Sequence, residues 1–152
     1  MRAATERYDA ERAERAEQRA RELLRSCIAA EDWAIYDTFG FLRVCARAIR
    51  RPTASERATT APYAYLIYAH RPIVAYLEST LALLGEYCVA FAERLPPSDD
   101  VLAKWLALTA DERTLIGAAN VHPLGRQTDP ARVRRDLARL AAWDSGRPGA
   151  VG

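Results

Sequence analysis

The side chains of this sequence best suited to chemistry near neutral pH are two histidines, His70 and His122, and three cysteines, Cys27, Cys45 and Cys88. A histidine works as a general base only beside a placed partner. Each histidine here is solitary in sequence and followed within two residues by proline, which assigns it to a loop or a helix end. The cysteines form no C-x-x-C pair and no zinc-knuckle spacing, and none sits beside a histidine in sequence that would favour its thiolate. They are expected to be free, metal-free thiols that fill small gaps on apolar helix faces. No glycine-rich phosphate loop, H-E-x-x-H, G-x-S-x-G or calcium-loop pattern occurs. No cofactor is implied, and an enzymatic role ranks third, after the two readings given below.

Arginine carries chemistry of another kind. Every basic residue except Lys104 is arginine, and the planar guanidinium fork suits phosphate and carboxylate oxygens. Between Thr38 and Pro72, Arg43, Arg47, Arg50, Arg51, Arg57 and Arg71 face Glu56 alone. On a helix, Arg43, Arg47 and Arg50 would share one exposed face at i, i+4 and i+7. A second basic cluster, Arg132, Arg134, Arg135 and Arg139, lies near the C-terminus. Such stripes are the usual footprint of phosphate-backbone binding; the competing reading is a solvated face or internal ion pairing. Tyr63, Tyr65, Tyr68 and Tyr76 adjoin the first stripe. Tyrosines interleaved with arginine can stack bases, but tyrosines this close together read better as core residues with hydroxyls at its edge.

The elements expected to position these residues are helices. Alanine is abundant and glycine scarce, and a glycine costs about 1 kcal/mol in a helix interior. Residues 3–30 read as a long Glu/Arg-rich helix with Ala13, Ala16, Ala20, Leu24 and Cys27 on one face. Its Glu11–Arg15 and Glu17–Arg21 pairs would add about 0.2–0.5 kcal/mol each. A second helix is expected from Asp32 to Arg51, stopped by Pro52, with Ile35, Leu42, Cys45 and Ile49 inward. Thr53-Ala54-Ser55-Glu56 has capping-box spacing. The segment Tyr63–His70 is expected to be a short helix between two prolines. Ile73, Leu77, Leu81, Leu84, Cys88, Phe91 and Leu95 then mark a central buried helix. Beyond Pro96-Pro97, Ser98 or Asp99 would cap a helix carrying Val101, Leu102, Trp105 and Leu106. Thr109-Ala110-Asp111-Glu112 forms a second capping box, opening a helix to about Val121. His122–Arg126 reads as a loop. Asp129-Pro130 opens a last helix with Val133, Leu137 and Leu140 inward. Residues 145–152 read as a disordered tail.

Within this last segment, Asp129-Pro130-Ala131-Arg132-Val133-Arg134-Arg135-Asp136-Leu137-Ala138-Arg139-Leu140 is similar to the recognition helix of DeoR-type bacterial repressors, where an arginine pair precedes Asp-Leu. The resemblance implies a helix-turn-helix in which Thr109–Val121 is the preceding helix. The chain departs from that pattern in its long connection, His122–Thr128, and in the lack of a following strand pair. The likeness spans those residues alone and is not counted as family membership.

The formal net charge is +2 and half the residues are apolar, an ordinary globular balance. The N-terminus is charged from Arg2 and carries no apolar signal region. The longest apolar stretch, Ile73 to Leu95, is broken by Glu78, Glu86, Glu93 and Arg94, so no membrane span is expected and the cytoplasm is the expected compartment. The fold expected is all-α, one domain of six or seven helices over residues 1–144. The leading functional expectation is a nucleic-acid-binding protein, a regulator or nucleoprotein subunit, using Arg43, Arg47, Arg50, Arg51, Arg57, Arg132, Arg134, Arg135 and Arg139. The runner-up is a non-enzymatic protein-interaction module, an adaptor, inhibitor or homo-oligomer that docks through its first helix.

Overall fold

In a computed structural model, residues 1–49, 53–59, 61–89, 91 and 94–147 are described. The chain is not all-α. A five-stranded antiparallel meander, in the order β1-β2-β3-β4-β5, is covered by helices on both faces. Its elements are α1 (Arg2–Cys27), α2 (Ala30–Phe39), β1 (Phe41–Cys45), α3 (Ala46–Ile49), α4 (Ala54–Thr59), β2 (Tyr63–Tyr68), β3 (Ile73–Leu77), β4 (Leu83–Cys88), α5 (Pro97–Ala110), α6 (Glu112–Ala118), β5 (Asn120–His122) and α7 (Pro130–Ser145).

The first part of the expected second helix forms as α2, but the sheet takes the place of its continuation beyond Phe39 and of the expected aromatic and central helices. Its strands are Phe-Leu-Arg-Val-Cys, Tyr-Ala-Tyr-Leu-Ile-Tyr and Ile-Val-Ala-Tyr-Leu, rich in aromatic and β-branched residues. A strand buried on both faces reads as a continuous apolar run with no two-residue alternation. The alternation is real in space. Leu42, Val44, Tyr65, Ile67, Ile73 and Ala75 face one core with Leu24, Val101 and Leu108 of the helices. Phe41, Ala64, Leu66, Tyr68, Val74 and Tyr76 face a second core under Val133, Leu137 and Leu140 of α7. The residues expected on a central helix are therefore scattered: Leu84 is 50% exposed and Phe91 37% exposed.

Local signals set the breaks. Gly40 ends α2 at φ 84°, a left-handed cap that releases the chain into β1, and its N–H bonds Tyr36 O at 2.8 Å. Between β3 and β4 the pairing steps from Ala75↔Gly85 to Tyr76↔Leu83. Leu84 is thus an extra residue, a bulge that turns its side chain outward. The Thr53 capping box forms: Thr53 N–H donates to Glu56 at 2.8 Å and Glu56 N–H to Thr53 Oγ1 at 3.2 Å. The second box is shifted by two residues. Asp111, not Thr109, caps α6 and accepts from the Thr114 amide and hydroxyl, which hold its carboxyl below the usual range. Asp129 caps α7 through the Ala131 N–H, as expected.

The first helix forms as expected, but its acids and bases bond elsewhere. Glu17 accepts from both the N–H and the hydroxyl of Ser98, at 2.8 and 2.6 Å, and so caps α5 from a neighbouring helix. Arg21 pairs with Asp37 at 2.6 Å and stacks over Trp33. Residues 1–15 are exposed throughout. No helix among the described residues is long and apolar enough to cross a membrane. The expected disordered tail begins inside α7, which runs to Ser145; residues 148–152 lie outside the described ones.

Candidate functional site

The two arginine clusters have different fates. Arg43 lies on β1, not on a helix, and points toward α7. Its guanidinium donates to both carboxylate oxygens of Asp144, at 2.5 and 3.3 Å, with Glu31 3.9 Å away. Burial lowers the Arg43 pKa, but the bonded Asp144 carboxylate outweighs it and the net shift is upward. Arg47 is exposed on the single turn α3, and Arg57 is exposed on α4. Arg50 and Arg51 lie outside the described residues. The expected helical stripe of Arg43, Arg47 and Arg50 is therefore corrected: Arg43 alternates on a strand and is neutralised internally.

The C-terminal cluster stays on one helix. Glu86, 1% exposed, anchors the loop before α7. It accepts from the Arg126 N–H at 2.9 Å, the Gln127 N–H at 3.1 Å and the Thr128 hydroxyl at 3.0 Å. Along α7, Tyr68 donates to Asp136 at 2.8 Å and Arg43 to Asp144. Burial and Asp136 push the Tyr68 phenol pKa well above its ordinary value. These anchors and the apolar face Val133, Leu137, Leu140 fix the rotation of the helix. Arg132, Arg134, Arg135 and Arg139 are all exposed, and none has an ion-pair partner among the described residues. At 3.6 residues per turn, Arg132, Arg135 and Arg139 share one flank, with Arg134 on the other side. Arg132 lies 5.8 Å from the Tyr68 ring centroid and Arg139 5.2 Å from that of Phe39, so aromatic faces orient two of the four.

α7 is not the second helix of a helix-turn-helix. β5 and an extended loop intervene after α6, and α7 packs on the sheet. The tyrosines are core residues, as expected: Tyr65, Tyr68 and Tyr76 are buried and Tyr63 half-buried. Tyr63 and Tyr65 both donate to Glu112, at 3.0 and 2.7 Å.

The two histidines lie apart in the fold, with the His70 ring nitrogen Nδ1 4.0 Å from Asp100. His70 occupies the β2–β3 turn at φ 57°, and its N–H donates to Asp100 at 2.8 Å. That carboxylate also holds the buried Lys104 ammonium at 2.6 Å, whose other hydrogens reach Tyr68 O and Arg71 O. His122 lies on β5 beside Arg126. All three cysteines are unpaired; Cys27 is exposed, Cys45 and Cys88 half-buried. Cys45 and Cys88 sit on strands and Cys27 ends α1 in solvent, so the expected apolar helix faces do not house them. Burial, reinforced by Glu78, pushes the Cys45 thiol up to about 11. Among the described residues no group of three or more His, Cys, Asp and Glu side chains is gathered to hold a metal ion.

Nothing in the sequence distinguished the α7 cluster from the first one. The separating fact is which aspartates are spent: Asp136 and Asp144 look like local counter-charges in sequence, yet both turn to the sheet. No protein-family model, curated protein or solved structure matches this chain.

Proposed function

We propose that the protein binds nucleic acid through the backbone phosphates, using the outer face of α7. One observation carries this reading: Arg132, Arg134, Arg135 and Arg139 stand exposed on α7 with no ion-pair partner among the described residues, while Asp144 is paired with Arg43 and Asp136 is turned to the Tyr68 hydroxyl. Arg132, Arg135 and Arg139 line one flank of the helix and Arg134 the other, so positive charge predominates over the one carboxylate not paired with a cation, Asp136, and rigid anchoring lowers the entropy lost on binding. Other exposed residues of the helix include Ala131, Ala138 and Ala142, small enough for a phosphate strand to approach closely. The aromatic rings nearby lie beneath the arginines. They support guanidinium orientation rather than base stacking, so the expected recognition is of charge.

Fluorescence anisotropy with a labelled duplex and a labelled single strand at low salt tests the reading. Wild-type protein should bind, and Arg132→Ala/Arg135→Ala/Arg139→Ala should weaken binding by at least about tenfold, in line with losing several phosphate contacts. Absence of wild-type binding to either probe refutes it.

A second reading rests on α1. Residues 1–15 extend with every side chain exposed, and isolated helices of that length are marginal in water. A protein partner, or a second copy, lying along this segment would stabilise it. Removing residues 1–14 should then abolish partner capture while leaving anisotropy with nucleic acid unchanged.

A further inference from the structure

Between the sheet and the C-terminal half of α7 lies a cavity of about 170 Å³. Its polar lining comes from Arg43, Tyr76 and Glu78, and its apolar wall from Leu81, Leu137 and Leu140. Leu81, at φ 60° in the β3–β4 turn, is among the residues that line it.

Tyr76 is 3% exposed. Of the four buried tyrosines, Tyr36, Tyr65 and Tyr68 each bond through the hydroxyl. The Tyr76 hydroxyl has no partner among the described residues, and no fully enclosed polar atom lacks one. Its oxygen therefore opens onto the cavity. The charges around it do not balance. Arg43 is committed to Asp144 through two hydrogen bonds, with Glu31 also near. Glu78 has no cationic partner among the described residues; its neighbour is the Cys45 thiol, which remains protonated. The lining thus offers one uncompensated carboxylate and one free hydroxyl oxygen above an aliphatic wall.

We infer that this cavity binds a small aliphatic primary amine in its ammonium form. The ammonium donates to Glu78 and to the Tyr76 oxygen, and the alkyl chain lies against Leu137 and Leu140. A carboxylate of the same size would meet Glu78 and Asp144 and be repelled. Space is sufficient, since an apolar cavity on the order of 150 Å³ holds benzene. The site is separate from the arginine face and does not depend on it.

The test is titration of isotopically labelled protein with n-butylammonium and, in parallel, n-butyrate, followed by amide chemical shifts. Butylammonium should shift the signals of Tyr76, Glu78 and Leu140 saturably in the millimolar range, and butyrate should not. Glu78→Gln should weaken the amine by about tenfold or more, and Tyr76→Phe by about fivefold. Both variants should melt within a few degrees of the wild type, which separates lost binding from lost folding. Saturable binding of butyrate at equal or lower concentration overturns the inference. So does the absence of a saturable butylammonium shift, or an unchanged affinity in Glu78→Gln.

Discussion

At the scale of single residues, the same side-chain type carries opposite roles according to where its neighbours point. Arg43 and Arg134 are both arginines within basic runs, yet one closes a bidentate pair with Asp144 and the other faces solvent. Arg43→Ala should cost about 1–2 kcal/mol, because it removes charge-assisted bonds and strands a half-buried carboxylate. Arg134→Ala should change stability by less than about 0.5 kcal/mol. Urea denaturation of the two variants checks the contrast; equal effects would contradict the assignment of Arg43 as structural. Asp32 supplies the pH dependence. Burial, and the neighbouring Glu31, raise its pKa above the usual 3.8, with Arg43 opposing. A carboxyl raised on folding holds its proton more tightly in the folded chain. Stability is therefore lost as pH rises from 3.8 through the folded value, and the deficit persists at neutral pH. Asp32→Asn should raise the melting temperature at neutral pH and lose that advantage below the unfolded value. A variant less stable than wild type at neutral pH would contradict this.

At the scale of elements, two of the expected caps were legible and two were not, since Asp111 rather than Thr109 caps α6 and Pro96 rather than Ser98 or Asp99 precedes α5, and strand identity was not legible at all. Asp129-Pro130 and the Thr53 box form where the sequence places them, because a cap is a local device of four residues. The run Ile73–Leu77 carries no such local signature. Its residues satisfy a helical spacing and a doubly buried strand equally well, and only the partners β2 and β4 decide. The first helix, by contrast, carries its signature locally in its alanine-, glutamate- and arginine-rich sequence, and the observed Arg2–Cys27 lies within three residues of the expected span at each end. A helix expected to continue to Arg51 stops at Phe39 because Gly40 adopts a left-handed conformation and the next five residues pair with β2. Gly40→Ala meets no atom within 4 Å, so its cost is purely conformational. It should destabilise by about 1 kcal/mol with an unchanged denaturant slope. A neutral effect would show that the turn does not need the left-handed cap.

At the scale of the whole molecule, two cores on one sheet divide the labour. The face under α1 and α5 is knit by Glu17–Ser98–Tyr36 and Lys104–Asp100. The other face holds α7 through Glu86, Tyr68 and Arg43. The acidic partners of the second set all belong to the anchoring, and the four exposed arginines of α7 are what remains facing outward. That residual charge could not be read from sequence, where Arg126 to the terminus shows six arginines against three aspartates and no indication of which are spent. Charge neutralisation by a defined number of arginines has a quantitative signature, since each phosphate contact contributes about 0.7–0.9 to the slope of log affinity against log salt. The most direct measurement is that slope for wild type and for Arg132→Ala/Arg135→Ala/Arg139→Ala on the same duplex. The slope should flatten by about two to three units in the variant, with unchanged melting temperature. An identical slope in the two proteins would place any nucleic-acid contact elsewhere and contradict the assignment of the α7 face.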